Sequence, residues 1–221
     1  MRDRGCFQED RSLGRPPPAR GKPVLADAAA RSHPLRAWER IIPVQPCSVF
    51  VAECPVARGL ATLLLDLLRP EESEHRRNVF DIGLRATRLE EAIAWASRLT
   101  EVGDLPVGLF GASTGAAAAL VAAAHQSAGV AAVVSRGGHL DLAAAALPHV
   151  KAPTLLIVGG DDDEVLELNR WALRRLRCEA RLDVVPGATH LFEEPGTLEQ
   201  VAQIAGDWFV DHVPDGGERR R

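Results

Sequence analysis

Hydrophobic and polar positions run through this chain in two rhythms, and from about residue 49 they alternate at regular intervals. Gly59-Leu-Ala-Thr-Leu-Leu-Leu-Asp66 is a short apolar run of the kind found in a parallel strand covered on both faces. Arg69 to Asn78 is charged and reads as a loop. Between Asp81 and Arg98, Ile82, Leu89, Ile93 and Trp95 fall at helical spacing. Pro106–Phe110 predicts a second strand, Gly115–Gln126 an Ala-rich helix, and Val130–Val134 a third strand followed by the turn Arg136-Gly-Gly138. Asp141–Ala146 reads as a short helix or turn, Pro153–Val158 as a fourth strand and Val165–Arg177 as a helix. Arg181–Val185 gives a fifth strand. Thr197–His212 gives an amphipathic helix with Val201, Ile204, Ala205, Trp208 and Phe209 on its apolar side.

Strands that alternate with helices imply βαβ crossovers, and so a mainly parallel α/β sheet with helices on both faces. Residues that do chemistry in such a sheet are expected on the loops at the carboxyl ends of the strands. The first part of the chain breaks the pattern. Residues 1–23 are rich in Arg, Gly and Pro, including Pro16-Pro17-Pro18, and bury little apolar surface. Pro34, Pro43 and Pro46 interrupt any helix over 24–48. The chain is therefore divided into an irregular segment, 1–48, an α/β domain, 49–213, and a loose polar tail, 214–221.

Composition narrows the function. With 46% hydrophobic and 25% charged residues the 221-residue chain is ordinary globular protein rather than a disordered one. A net charge of -4 argues against non-specific nucleic-acid binding, which needs a basic surface. No apolar run approaches the ~18 residues of a membrane helix, and no apolar stretch follows the N-terminal arginines as in a secretion signal. Cys6, Cys47, Cys54 and Cys178 form no CxxC pair or disulfide framework, which fits a reducing cytoplasm. No residues have metal-ligand spacing, so the expected chemistry uses neither metal nor cofactor.

The second strand runs straight into Gly111-Ala-Ser113-Thr-Gly115 and then a helix. G-x-S-x-G in this strand–turn–helix setting places a serine hydroxyl on a sharp turn above the sheet. Gly111 and Gly115 are small because strand and helix crowd there, and the Thr114 N–H faces a developing oxyanion. Without that chemistry, the same sequence would make a tight turn whose serine caps the helix. Serine needs a base at neutral pH. His190, after the fifth strand in Pro186-Gly-Ala-Thr-His190, is the candidate, and His139, after the third strand, is its rival. Asp161, Asp162 and Asp163 end the fourth strand and could orient the base, cap the next helix, or do both. Asp66 and Arg136 also fall at predicted strand ends. Either could line a cleft, with Arg136 receiving an anionic substrate group, or simply support loops.

Ser, Asp and His in that order, each after a different strand, follow the α/β-hydrolase arrangement. Across Gly59–Leu68, Gly108–Leu120, Val133–Gly138, Ala152–Asn169 and Val185–Pro195 the chain resembles the dienelactone hydrolase-like branch of that superfamily. The resemblance implies an α/β-hydrolase fold, Ser113 as nucleophile and His190 as base. The family pattern G-x-x-D-x-x-V falls on Gly159, Asp162 and Val165, which implies Asp162 as the acid. It further implies a small-molecule ester, thioester or lactone as acyl substrate. Some members of the branch are fused to phosphoribosyltransferases, but this chain carries no such signature. Dienelactone hydrolases proper use cysteine where Ser113 stands.

Two departures matter. No His-Gly-x-Gly-like loop, the usual source of a second oxyanion donor, occurs before Gly59, and the strands expected ahead of it are missing. A hydrolase-like protein that binds without turnover is thus the alternative. Missing strands would leave a sheet edge open, which a homodimer could cover.

Overall fold

The computed structural model describes residues 46–100, 102–126 and 129–213, so the readings of 1–45 and 214–221 lie outside the described residues. The sheet holds four parallel strands in the order β1-β2-β3-β4. They are β1 (Val107–Ala112), β2 (Val130–Arg136), β3 (Thr154–Gly159) and β4 (Ala180–Val185). Register pairs Ala112 with Arg136 and Gly159 with Val185, so the strands finish along one edge.

The helices are α1 (Pro46–Ala57), α2 (Pro70–Ser73), α3 (Arg76–Val79), α4 (Ile82–Ala96), α5 (Thr114–His125), α6 (Asp163–Leu173) and α7 (Thr197–His212). Two 3₁₀ turns, Leu140–Ala143 and Leu147–His149, join β2 to β3. Strand side chains alternate between faces. Leu109, Val133 and Leu156 pack with α4, α5 and the 3₁₀ turns on one side. Val134, Leu155 and Ile157 pack with α1 and α7 on the other. Both faces are covered, which is why β3 is buried along its whole length.

Helix α5 is apolar all round, and Ala116, Ala117, Ala118, Ala119, Leu120, Ala122 and Ala123 are fully buried. Such a helix belongs in the interior, here between the sheet, α4 and the 3₁₀ turns. Asp81 caps α4 by accepting a hydrogen bond from the Leu84 N–H at 2.9 Å.

Three sequence expectations change. The run Gly59–Asp66 is not a strand: it pairs with no strand among the described residues, and β1 is an outer strand of the sheet. Leu63 and Leu64 are exposed in consequence, because a strand exists only when a neighbour completes its backbone ladder. The charged loop 69–78 contains two short helices, α2 and α3. Third, Pro46, which the sequence reading counts among the interruptions of 24–48, is the first residue of α1, and the helix also contains Pro55. Pro55 lies in the last turn, where its missing N–H costs one bond at most. Its carbonyl accepts from Arg58 and Leu60 as the helix ends.

Among the described residues no helix is long and apolar enough to cross a membrane.

Two consequences can be measured. Leu156 is fully buried at the centre of the sheet; Leu156→Ala should cost about 2–5 kcal/mol, read as a lower urea midpoint with unchanged slope. Arg88 of α4 forks onto Glu72 of α2, Nη1–Oε2 2.5 Å and Nη2–Oε1 2.6 Å. That fork, with the Arg69 N–H, lowers the Glu72 pKa from 4.5 to about 2. A depressed carboxylate stabilises the fold above its unfolded pKa and loses that effect as pH falls through the folded value. The stability difference between wild type and Arg88→Met should therefore shrink as pH falls from 4.5 towards about 2.

Candidate active site

β1 ends at Ala112 and α5 begins at Thr114, so Ser113 alone makes the turn. Its φ of 52° and ψ of -124° lie where a residue with a side chain is strained. The surroundings hold it there. Ser113 N–H donates to the Arg136 carbonyl at 3.0 Å, and the Ser113 carbonyl accepts from Ala116 N–H at 3.1 Å and His139 N–H at 3.3 Å. No side-chain cap bond forms from Ser113 to the helix, contrary to what a merely capping serine would make.

The two elbow glycines differ. A Cβ on Gly111 would lie 2.5 Å from the Gly115 carbonyl oxygen and 2.6 Å from Ala116 Cα, so strand and helix touch there. A Cβ on Gly115 would meet nothing nearer than Arg85 Nη2 at 3.6 Å. The expectation that both positions are sterically confined is therefore corrected. Gly111 faces the helix, whereas Gly115 faces away from the strand.

Of the three acids after β3, Asp162 meets the histidine. His190 Nδ1 lies 2.7 Å from Asp162 Oδ2, with the Asp162 side chain 13% and the His190 side chain 34% exposed. A carboxylate only accepts, so the Nδ1 proton lies in this bond, and in a neutral imidazole the lone pair is then on Nε2. Asp162 occupies the N-cap position of α6 without capping it through its side chain. Asp161 and Asp163 are exposed, and the Asp161 N–H donates to the Ala188 carbonyl at 3.0 Å.

The loop carrying His190 is brought in by close backbone approach. A Cβ on Gly159 would sit 2.3 Å from the Ala188 carbonyl oxygen and 2.7 Å from that of Thr189. Glu194 clasps the loop by accepting from Thr189 N–H at 3.1 Å and Thr189 Oγ1 at 2.6 Å. These bonds lower the Glu194 pKa below its ordinary value.

Residues 136–139 bridge the two halves. Besides holding the Ser113 backbone, this loop brings Gly137 against the His190 ring, with a built Cβ 3.4 Å from Cε1. The His139 and His190 ring centroids are 5.7 Å apart. Asn169 of α6, fully buried, donates to the Gly138 carbonyl at 2.9 Å and the Val165 carbonyl at 2.8 Å. The Ser113 hydroxyl makes no hydrogen bond among the described residues, and catalytic bonds are often long before substrate binds.

Other candidates stand differently. The Arg136 guanidinium lies 5.6 Å from the Phe192 ring centroid, so it braces the His190 loop, and its Nε is buried without a partner among the described residues. Asp66 lies in the irregular run after α1, with Oδ2 buried and unpartnered among the described residues; burial raises its pKa. Nothing joins it to the His190–Asp162 pair by hydrogen bond. Cys178 is half-buried, its Sγ 3.8 Å from Thr154 Oγ1, and burial pushes its thiol pKa up. No cluster of three or more His, Cys, Asp or Glu among the described residues is placed to hold a metal ion.

Sequence reading missed Glu194, Asn169 and Arg85. Their roles depend on tertiary contacts, between α4 and α5 for Arg85, between α6 and the loop after β2 for Asn169 and within the His190 loop for Glu194, which leave no periodic signal.

A parallel sheet whose strand β1 passes through a strained serine into a buried helix places the chain among the α/β-hydrolase folds. Within that class it belongs to the dienelactone hydrolase family, which residues 70–208 match. It is 53% identical to a dienelactone hydrolase from Anabaena variabilis of known structure, covering 77% of this chain and 81% of that one, with a TM-score of 0.74. Est1E from Butyrivibrio proteoclasticus shares the fold at 16% identity, with 76% of this chain and 82% of that one covered and a TM-score of 0.63. Two Mycobacterium tuberculosis proteins, each named "Putative phosphoribosyl transferase", are 60% identical over 164 residues, 74% of this chain. The chain spans 37% of the length of these curated relatives.

The glycine contacts make a differential prediction. Gly111→Ala and Gly159→Ala should each lower the melting temperature by several degrees, as overpacking costs about 1–3 kcal/mol. Gly115→Ala should melt within a degree or two of wild type in the same thermal scan, since its side of the turn is open.

Proposed function

We propose that this protein is a serine hydrolase that cleaves an ester, thioester or lactone of a small acyl substrate. The observation that carries this reading is the 2.7 Å pairing of Asp162 with His190, in a site where one loop touches both that histidine and the strained Ser113. Ser113 Oγ attacks the substrate carbonyl and His190 Nε2 takes its proton, while Asp162 fixes the imidazole through Nδ1–H and stabilises its cation. The developing oxyanion accepts from Thr114 N–H at the start of α5, where the helix dipole adds positive potential. Collapse breaks the bond to the leaving group, which departs with the proton from His190. Water, deprotonated by His190, then releases the acyl group and restores Ser113.

Phosphoribosyl transfer is no part of this reading, since the chain spans 37% of the length of the relatives that bear that name. The scarcity of cysteine pairs favours work in a reducing cytoplasm.

One observation favours the second reading, a protein that binds acyl compounds without turnover. No His-Gly-x-Gly-like loop precedes Gly59, and a missing oxyanion donor costs about 10²–10³ in rate. Hydrolysis of p-nitrophenyl acetate and labelling by a fluorophosphonate separate the two. The hydrolase reading expects a single adduct on Ser113. It also expects kcat to fall about 10⁶-fold in Ser113→Ala or His190→Ala and about 10⁴-fold in Asp162→Asn. No adduct on folded wild-type protein, or turnover that survives both alanine variants, overturns it.

A further inference from the structure

We propose that Arg85 is a positioning residue for acyl transfer: anchored on the Thr114 hydroxyl, its guanidinium holds a positive charge behind the N–H that receives the oxyanion. The inference rests on the hydrolase reading above.

Arg85 lies in the first turn of α4, and its side chain crosses to the first turn of α5. Nη1 donates to the Val79 carbonyl at 3.0 Å and to Thr114 Oγ1, while Nη2 faces Gly115. Nε is buried and has no partner among the described residues. Burial lowers the pKa of this guanidinium, and no carboxylate offsets the effect. Arg88, one turn further along the same helix, shows the contrast: its charge is matched by Glu72. No described acid forms an ion pair with Arg85.

A partly buried cation without a counter-ion is costly, and its site makes it more so. The guanidinium stands at the N-termini of both α4 and α5, where helix dipoles already favour negative charge. A link between two helices would need hydrogen bonds only, which a neutral side chain provides. What the position does supply is positive potential at Thr114, the residue whose N–H faces the reacting carbonyl. That carbonyl is neutral in the bound substrate and anionic in the tetrahedral intermediate. The charge therefore acts on the transition state far more than on the ground state, which is the condition for raising kcat rather than lowering KM.

The test compares Arg85→Gln, which keeps hydrogen bonding without charge, with Arg85→Lys, which keeps the charge. Neutral p-nitrophenyl acetate is the substrate, and circular dichroism establishes that each variant is folded. Arg85→Gln should lower kcat about 10- to 100-fold with KM within about threefold, and slow fluorophosphonate labelling of Ser113 in parallel. Arg85→Lys should recover most of the loss. Thr114→Val, which keeps the N–H and removes the anchor, should also lower kcat, and decides the matter if Arg85→Gln does not fold. Unchanged kcat in Arg85→Gln or Thr114→Val overturns the proposal. So does a change confined to KM, or a lysine variant as impaired as glutamine. Wild type that neither labels nor turns over substrate would instead count against the hydrolase reading itself.

Discussion

Everything at this site depends on the backbone ladder continuing a residue or two beyond the strands. Ser113 N–H bonds to Arg136, Gly137 N–H to Ile157, Gly160 N–H to Val185 and Asp161 N–H to Ala188. Because the sheet is parallel, these bonds stitch together the four loops that leave its carboxyl edge. Side chains then need little individual guidance. Once the backbone of each loop is fixed to its neighbour, Ser113, Asp162 and His190 are confined to the same edge, though they are far apart in sequence. The strain at Ser113 is tolerated because bonds on both sides over-determine its conformation.

Electrostatics divides the arginines of the described residues into matched and unmatched charges. Arg88 with Glu72, Arg58 with Asp207 and Arg181 with Asp183 are ion pairs that serve packing. Arg85 and Arg136 differ: each keeps a buried Nε without a protein partner among the described residues. Both lie next to backbone that borders Ser113, so positive charge without a described acid is concentrated at the turn where the proposed hydrolysis would develop negative charge. A fold selected for stability alone would have replaced them or supplied acids.

Most of the fold was legible because burial writes directly into sequence. The strands at 107, 130, 154 and 180 and the helix at 197 are apolar runs or helical stripes, and the structure finds them within a few residues. Gly59–Asp66 misled because its apolar run satisfies the same rule. Pairing is a property of two segments, and no single segment's pattern reports whether its neighbour is there. The elbow and the family pattern singled out Ser113, Asp162 and His190, and the structure brings the last two into contact. The Glu194 clasp and Arg85 were invisible, since one depends on how the His190 loop folds on itself and the other on how α4 packs against α5. Gly115 shows a subtler limit. A motif records that a glycine stands there, whereas only coordinates show that Gly111 is the one without space.

The Ala-rich α5 sets a boundary on how this protein can change over evolutionary time. Its small side chains let the helix lie close on the sheet, and Ala117 and Ala118 are fully buried, so an added methyl group at either has to be accommodated by the protein around it rather than by solvent. The platform under the serine is thereby closed to gradual exploration. The loops after β3 and β4 carry exposed positions, among them Asp161, Pro186, Thr189 and Leu191, and can accept larger residues there one at a time. Substitutions at those exposed loop positions can therefore alter the shape of the carboxyl edge while the geometry of the turn stays constant.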